Sequence, residues 1–369
     1  MLNLEAIMPR VNPNIETFAR IKVVGVGNSG TNSVNHMVKS KVKGVEFIVI
    51  DTDAQKLHYS LAPKKIHIGK NLTRGLGGGM NPDIGKNAAE ETKEEIKEAL
   101  KGADMVFISS GFGGATGTGA SPIVAKIAKD LGILTIGIVT RPFSFEGIQR
   151  SRIADAGLLN FKNAVDAMIT ISNDRILDLI DKKTTFLSAF TMCNEVLRQA
   201  VEGISDLITK PGIINVDFSD IKAIMSNAGS ALMGIGRSQG ANRAAEAAQK
   251  AINSPLLDIA IDGAKGVLFA ISGGEDVTMA EIQEAANIIT NSIDSEARVI
   301  FGAIRDDDLR KNEIKITVVA SGFPESKGGA RKNPPAGGEI KEEEKKVEKK
   351  VEEDNEEWDS VPAFLRRKK

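Results

Sequence analysis

The sequence predicts an α/β protein: a parallel sheet wound with helices on both faces, then a smaller α+β region. Three observations carry this. Short β-branched runs alternate with helical stretches through the first half, the pattern of a parallel sheet buried on both faces. The 36 glycines gather where a strand meets the next helix. A long proline-free helical stretch, Thr185 to Thr209, stops at Pro211-Gly212 and divides the halves. A chain of 369 residues suits two domains and a tail at about 150 residues per domain.

Residues 1–19 read as a loose polar arm. Ile21 to Val26 is a continuous β-branched run and the first strand, with a helical stretch from Gly30 to Ser40 after it. Val45 to Ile50, Met105 to Ser109, Leu134 to Val139 and Ala167 to Ile171 read as further strands, and Ser121 to Asp130 as a helix. These place a nucleotide-type domain over 20–184 and a connecting helix over 185–210. Over 211–323 the expected helices are Asn242 to Ile252 and Met279 to Ser292. The expected strands there are Gly266 to Ser272, Arg298 to Ile304 and Ile314 to Ala320, the last two close enough to form a hairpin. After Pro324 composition shifts to a Glu/Lys run with no apolar face, so 324–356 reads as a disordered linker. Residues 357–369 bring back Trp358, Phe364 and Leu365 before a basic end.

Composition removes several function classes. Lys plus Arg number 48 against 49 Asp plus Glu, a net charge of −1; no basic excess exists to bind nucleic acid by bulk charge. The single cysteine, Cys193, forms no internal disulfide, and His36, His58 and His67 lack metal-ligand spacing. The N-terminus shows no basic segment followed by an apolar one, and the longest apolar run, near Leu131 to Val139, is too short to span a bilayer. A cytosolic protein with no transmembrane anchoring is expected.

The first glycine cluster, Gly25-Val26-Gly27-Asn28-Ser29-Gly30, matches G-x-G-x-x-G at a strand end. Glycines there let backbone N–H groups approach a phosphate at a helix N-terminus. Asp51, ending the second strand, occupies the place of a ribose-binding acid, so an NAD-dependent dehydrogenase fits this cluster, as does a merely tight turn. Thr31 after Gly30 rules out a Walker A lysine. Two further clusters, Gly75-Leu76-Gly77-Gly78-Gly79-Met80-Asn81 and Gly111-Phe112-Gly113-Gly114-Ala115-Thr116-Gly117-Thr118-Gly119, serve the same strand ends. Three glycine loops suit more phosphate than a pyrophosphate, and a dehydrogenase needs only the first.

Gly113 to Gly119 closely resembles the tubulin signature loop of the FtsZ family, the bacterial cell-division GTPases. Ile21 to Gly27, Asp51 to Gln55, Arg141 to Gly147, Asn215 to Asp220, Ser254 to Leu257 and Val361 to Arg366 also resemble FtsZ segments. The likeness covers about Ile21 to Phe323 and the last dozen residues. It implies a Rossmann-like GTPase domain, the long helix, an α+β activation domain, and a linker ending in a partner-binding peptide. It implies a GTP/GDP site with Mg²⁺ carried by the nucleotide and no metal ligand from the protein. Gly27, Asn28, Ser29, Gly30 and Asn32 would hold phosphate, with Gly78, Gly79, Asn81 and the loop Gly113, Gly114, Ala115, Thr116, Gly117, Thr118 and Gly119. Glu146 and Arg150 match residues on ribose and phosphate, and Asn173 one on the sugar and base. Phe190 would pack on guanine. Asn194 would read its edge, an amide offering the acceptor and donor that guanine needs and adenine mismatches; on residue type alone Asn194 is a solvated helix position.

The resemblance further implies that Asp217 and Asp220, supported by Asn215, project into the next subunit's nucleotide and polarise the attacking water. From the residues alone, two acids three apart at a helix start are more simply caps. Head-to-tail homopolymers, assembly-dependent hydrolysis and a Z ring at mid-cell beneath the inner membrane follow from the family. So does a terminal peptide, Val361, Pro362, Phe364, Leu365 and Arg366, that binds membrane-tethering adaptors and division regulators; the alternative is a frayed tail. Three departures from the family pattern stand out. Ala115 replaces a glycine, harmless unless that residue needs positive φ or touches phosphate. Asn28 and Ser29 replace Gly-Gly. Asp51 replaces Asn, and either assists Mg²⁺ or opposes phosphate. They leave open a scaffold that binds nucleotide without hydrolysing it.

Overall fold

The computed structural model describes residues 19–177, 184–210, 212–254, 263–306 and 309–323. The expected arm (apart from residue 19), linker and terminal peptide, with Val361 to Arg366, lie outside them, as do Pro211 and most of Ser254 to Leu257.

The strands are β1 (Ile21–Val26), β2 (Val45–Asp51), β3 (Lys64–His67), β4 (Met105–Gly111), β5 (Leu134–Arg141), β6 (Ala167–Ser172), β7 (Gly212–Ile214), β8 (Gly229–Gln239), β9 (Gly266–Gly273), β10 (Arg298–Arg305) and β11 (Glu313–Ser321). The helices are α1 (Gly27–Lys39), α2 (Ala54–Tyr59), α3 (Lys70–Thr73), α4 (Pro82–Glu91), α5 (Lys93–Leu100), α6 (Thr116–Asp130), α7 (Ile148–Lys162), α8 (Asn173–Leu177), α9 (Phe186–Thr209), α10 (Phe218–Met225), α11 (Arg243–Ile252) and α12 (Met279–Thr290).

One sheet runs through the described residues in the order β3-β2-β1-β4-β5-β6-β8-β11-β9-β10-β7. From β3 to β6 every pairing is parallel, as continuous apolar strands require. Val23, Val24, Phe107 and Ile108 are all buried. Two apolar clusters sandwich this part. One gathers Val34 and Met37 of α1 with Leu197, Val201 and Ile204 of α9. The other gathers Ile96 of α5, Val124 of α6 and Phe161 of α7.

The chain leaves β1 for β2 and β3 on one side, then crosses to β4, β5 and β6 on the other. The switch point is between β1 and β4, where a crevice opens beyond the strand C-termini. β1 runs straight into α1, while β4 leads through the four-residue segment 112–115 into α6, and glycines gather at both junctions.

Beyond β6 the sheet continues through a short parallel pairing, Ala167↔Gly229 to Ile169↔Ala231. The remaining strands are mixed. β11 is antiparallel to both β8 and β9, and β9 is parallel to β10. The hairpin expected from Arg298–Ile304 and Ile314–Ala320 does not form. β9 lies between them in the sheet: β10 and β9 are parallel, so α12 makes the crossover that joins them, and β11 enters on the far side. A third apolar cluster packs α11 and α12 on these strands.

Helix α9 has 24 residues, so it spans about 36 Å. Its buried side chains fall at Ala189, Cys193, Leu197, Ala200, Ile204 and Leu207, one stripe at helical spacing. Thr185 caps it, the hydroxyl accepting the Ser188 N–H at 3.2 Å. Among the described residues no helix is long and apolar enough to cross a membrane.

A nucleotide-shaped cleft at the switch point

A cleft of about 700 Å³ opens over the C-terminal ends of β1, β2, β4 and β5. At its floor Val26 hands over to Gly27, which has φ +71° and where a Cβ would press on the Gly117 backbone. Only glycine takes that conformation without strain, and it turns the first N–H groups of α1 into the cleft. Asn28 and Ser29 follow inside α1 with negative φ, so side chains there need no left-handed backbone.

The signature loop forms the opposite wall. Ala115 is α-helical, φ −75°, and its N–H donates to the Gly79 carbonyl at 3.2 Å. The methyl therefore carries no backbone cost, and the bond ties this loop to the Gly75–Asn81 loop. The Thr116 hydroxyl meets that of Thr52 at 2.7 Å.

Glu146, Arg150, Asn173, Phe190 and Asn194 complete the lining with Asn32, Gly78, Gly79 and Gly114. Arg150 Nη1 donates to Glu146 Oε2 at 2.7 Å, one turn apart, while Glu146 Oε1 accepts the Phe143 N–H at 2.9 Å. Asn173 is buried and its Oδ1 has no partner; such an acceptor suits a ligand hydroxyl. Phe190 belongs to an aromatic group, with Phe143 at 5.2 Å and Phe186 at 4.7 Å between ring centroids. Asn194 follows one turn later on α9. The site thus has an N–H-rich end and an aromatic end, the two chemistries a nucleotide presents.

Some of the expected site residues do not line the cleft. Gly30 is buried against Gly25 and the Ser109 carbonyl. Gly113 donates its N–H to the Thr118 hydroxyl at 2.9 Å. Gly119 packs on the Pro82 carbonyl, where any Cβ would collide. Asn81 caps α4, its Oδ1 accepting the Asp83 N–H at 3.0 Å. Gly30 and Gly119 let neighbouring elements pack closely, while Gly113 and Asn81 fix the local shape of their own loops.

Asn215, Asp217 and Asp220 lie outside their own cleft and are exposed, on either side of buried Val216. Asn215 Oδ1 accepts the Gly212 N–H at 2.7 Å. Asp217 stands at the N-cap of α10 but its side chain makes no cap hydrogen bond, so the capping role the residue type suggests is not taken up.

The structure adds lining residues that the motifs did not mark, among them His36, Lys39, Thr140 and Cys193. The first two were legible: Asn28, Asn32, His36 and Lys39 recur at helical spacing along one face of α1. His36 Nε2 pairs with Glu195 Oε2 of α9 at 3.0 Å, bracing the two helices that flank the cleft. Cys193 is buried, which pushes its thiol up to about 12; it stays a neutral thiol.

The fold and cleft define a nucleotide-binding α/β protein with phosphate loops at a topological switch point. The GTPase domain of the Tubulin/FtsZ family matches residues 20–181, and the C-terminal domain of the FtsZ family matches residues 229–324. The chain is similar to an empty FtsZ dimer from M. jannaschii, with 45% identity, a TM-score of 0.79, and cover of 84% of this chain and 89% of that one. A point mutant of M. jannaschii FtsZ matches at 45% identity and TM-score 0.79, over 83% and 92%. CetZ2 from Haloferax volcanii, a GTPγS-bound protofilament, shares the fold at 18% identity and TM-score 0.71, over 84% and 94%. The chain belongs to the FtsZ family of tubulin-like GTPases. It is accordingly an enzyme that binds and hydrolyses GTP, and the dehydrogenase reading of the first glycine cluster falls.

Proposed function

We propose that the chain assembles head to tail into filaments and that each GTP is hydrolysed only where two subunits meet. The observation that carries this is the separation of the chemistry. The cleft has loops and a base platform, while Asp217 and Asp220 stand exposed elsewhere, with the Asp217 carboxylate free of any cap bond. Buried Val216 anchors this loop so that the acids point outward. Ile213 beside them is 72% exposed, an apolar side chain a partner surface would cover. The M. jannaschii FtsZ described as a dimer supports self-association.

In this reading the Gly27–Asn32, Gly78–Asn81 and Gly113–Gly119 segments cradle phosphates through backbone N–H groups. Arg150 and Glu146 position ribose and phosphate, Asn173 takes the sugar, Phe190 stacks on guanine and Asn194 reads its edge. Mg²⁺ arrives with the triphosphate and neutralises its charge. Asp217 and Asp220 of the adjoining subunit orient and polarise the attacking water, and Asn215 braces their loop. Loss of the γ-phosphate weakens the contact it helped shape.

At the level of the cell, the filaments build the cytokinetic ring in the cytoplasm at mid-cell. Residues 361–366 engage membrane-tethering adaptors and division regulators.

The test is Asp217→Ala. GTP affinity should remain at wild-type level while turnover falls about 100-fold or more, the scale for loss of a group that activates the nucleophile. Mixed in excess with wild type, the variant should depress turnover of the mixture below that of the wild type alone. Wild-type turnover by Asp217→Ala would refute the assignment.

A further inference from the structure

The end of β2 holds an unusual carboxyl. Asp51 is 2% exposed and lines the cleft. Its Oδ1 accepts the N–H groups of Thr52 at 2.8 Å and Asp53 at 3.3 Å, while its buried Oδ2 has no partner. Val26 pairs with Ile50, so Asp51 lies beside Gly27, where α1 begins and where the proposed reading places phosphate.

Few ionisable groups surround it. At the N-cap of α2, Asp53 spends Oδ1 on the Gln55 and Lys56 N–H groups; its charge disfavours an ionised Asp51 and that of Lys56 favours it. On β3, His67 faces Asp51 in register and its Nε2 lies 3.3 Å from the Thr52 carbonyl. The loops 75–81 and 111–121 carry no ionisable side chain, and on α1 the first one is His36.

An ionised Asp51 would oppose phosphate oxygens at close range and leave a buried lone pair without a donor, both costly in a site drained of water. Protonated, the same carboxyl becomes a hydrogen-bond donor at Oδ2, the role an asparagine amide would fill. We propose that Asp51 takes up a proton from solvent when nucleotide binds and donates a hydrogen bond from its carboxyl to a phosphate oxygen, which makes nucleotide affinity fall as pH rises. The inference rests on the proposed placement of the phosphates. Burial supports it, pushing the Asp51 carboxyl up to about 6 against the hydrogen bonds from Asp53 and Thr52. The ionised form then prevails in the free protein at neutral pH, and binding must draw a proton.

The experiment is GDP binding by the full chain and by Asp51→Asn from pH 5.5 to 8.5, with calorimetry in buffers of different ionisation enthalpy. The wild type should lose about tenfold in affinity, relative to the variant, for each pH unit above 6. At pH 8 Asp51→Asn should bind GDP the more tightly, a gain that misfolding cannot produce. Calorimetry should show close to one additional proton taken up by the wild type. Identical pH profiles would overturn the proposal, as would wild-type affinity that rises with pH in the presence of Mg²⁺, the mark of an ionised carboxylate retaining a divalent cation. Asn194→Ala, at the aromatic end, separates the two layers of the claim. If it weakens GDP binding equally at every pH while Asp51→Asn changes nothing, only the proton proposal fails. If neither variant alters GDP binding, the placement of the nucleotide fails with it.

Discussion

At the residue scale, the glycines divide into those that make room for a ligand and those that make room for the protein. Gly119 belongs to the second kind. It sits inside α6 against the Pro82 carbonyl of α4, and α4 and α6 carry the two loops that Ala115 N–H and Gly79 O join. Gly119→Ala should cost about 1–3 kcal/mol, the range for overpacking a tight contact, read as a lower denaturant midpoint at unchanged slope. An unchanged midpoint would show that the α4–α6 contact yields freely. The motif marked Gly119 as a phosphate residue because spacing alone does not distinguish close backbone packing from close ligand approach. The Ala115 departure, by contrast, is resolved by its own backbone: in the α region a methyl is ordinary.

At the element scale, most strands of both halves were legible, and what the sequence hid was β3, β7, β8 and the order in which the second half pairs. β1, β2, β4, β5 and β6 read as apolar runs because both of their faces are covered. β8 escaped because Gly229, Gly234 and Gly236 interrupt its run. β3 escaped because it is a four-residue edge strand with two exposed lysines. The helices α1 and α6 begin three and five residues earlier than their propensities suggest, since glycine disfavours helix in isolation while the strand-to-helix turn demands it. Pairing partners in the second half depend on the α12 crossover, which sequence proximity of β10 and β11 could not reveal. Between elements, α1 and α9 are joined by His36 and Glu195. Although burial opposes it, hydrogen bonds from Arg198, His36 and Gln199 hold the Glu195 carboxyl down at about 2. Its folded value lies below its unfolded value, so its stabilising share is complete above about 4.5 and is lost as pH falls towards 2. Wild type should therefore lose stability over that window more steeply than Glu195→Gln, followed by thermal unfolding in a pH series. Parallel curves would show that the network contributes nothing.

At the scale of the whole molecule, the proposed function makes the cleft and the exposed acidic loop complementary halves of one catalytic unit, both carried on a single chain. The cleft follows from the switch point in the sheet, and its loops were readable from three glycine clusters. The acids are singled out only by the Asn215–Asp220 resemblance, because exposed carboxylates at a helix start have no signature of their own. The most direct measurement is phosphate release from GTP with Mg²⁺ across a range of protein concentrations, with sedimentation of the same samples. Turnover per subunit should be near zero at low concentration and climb steeply above a threshold at which protein begins to pellet with GTP. Turnover per subunit that is constant at every concentration, without pelleted protein, would mean that one chain holds a complete active site and would contradict the shared-site account.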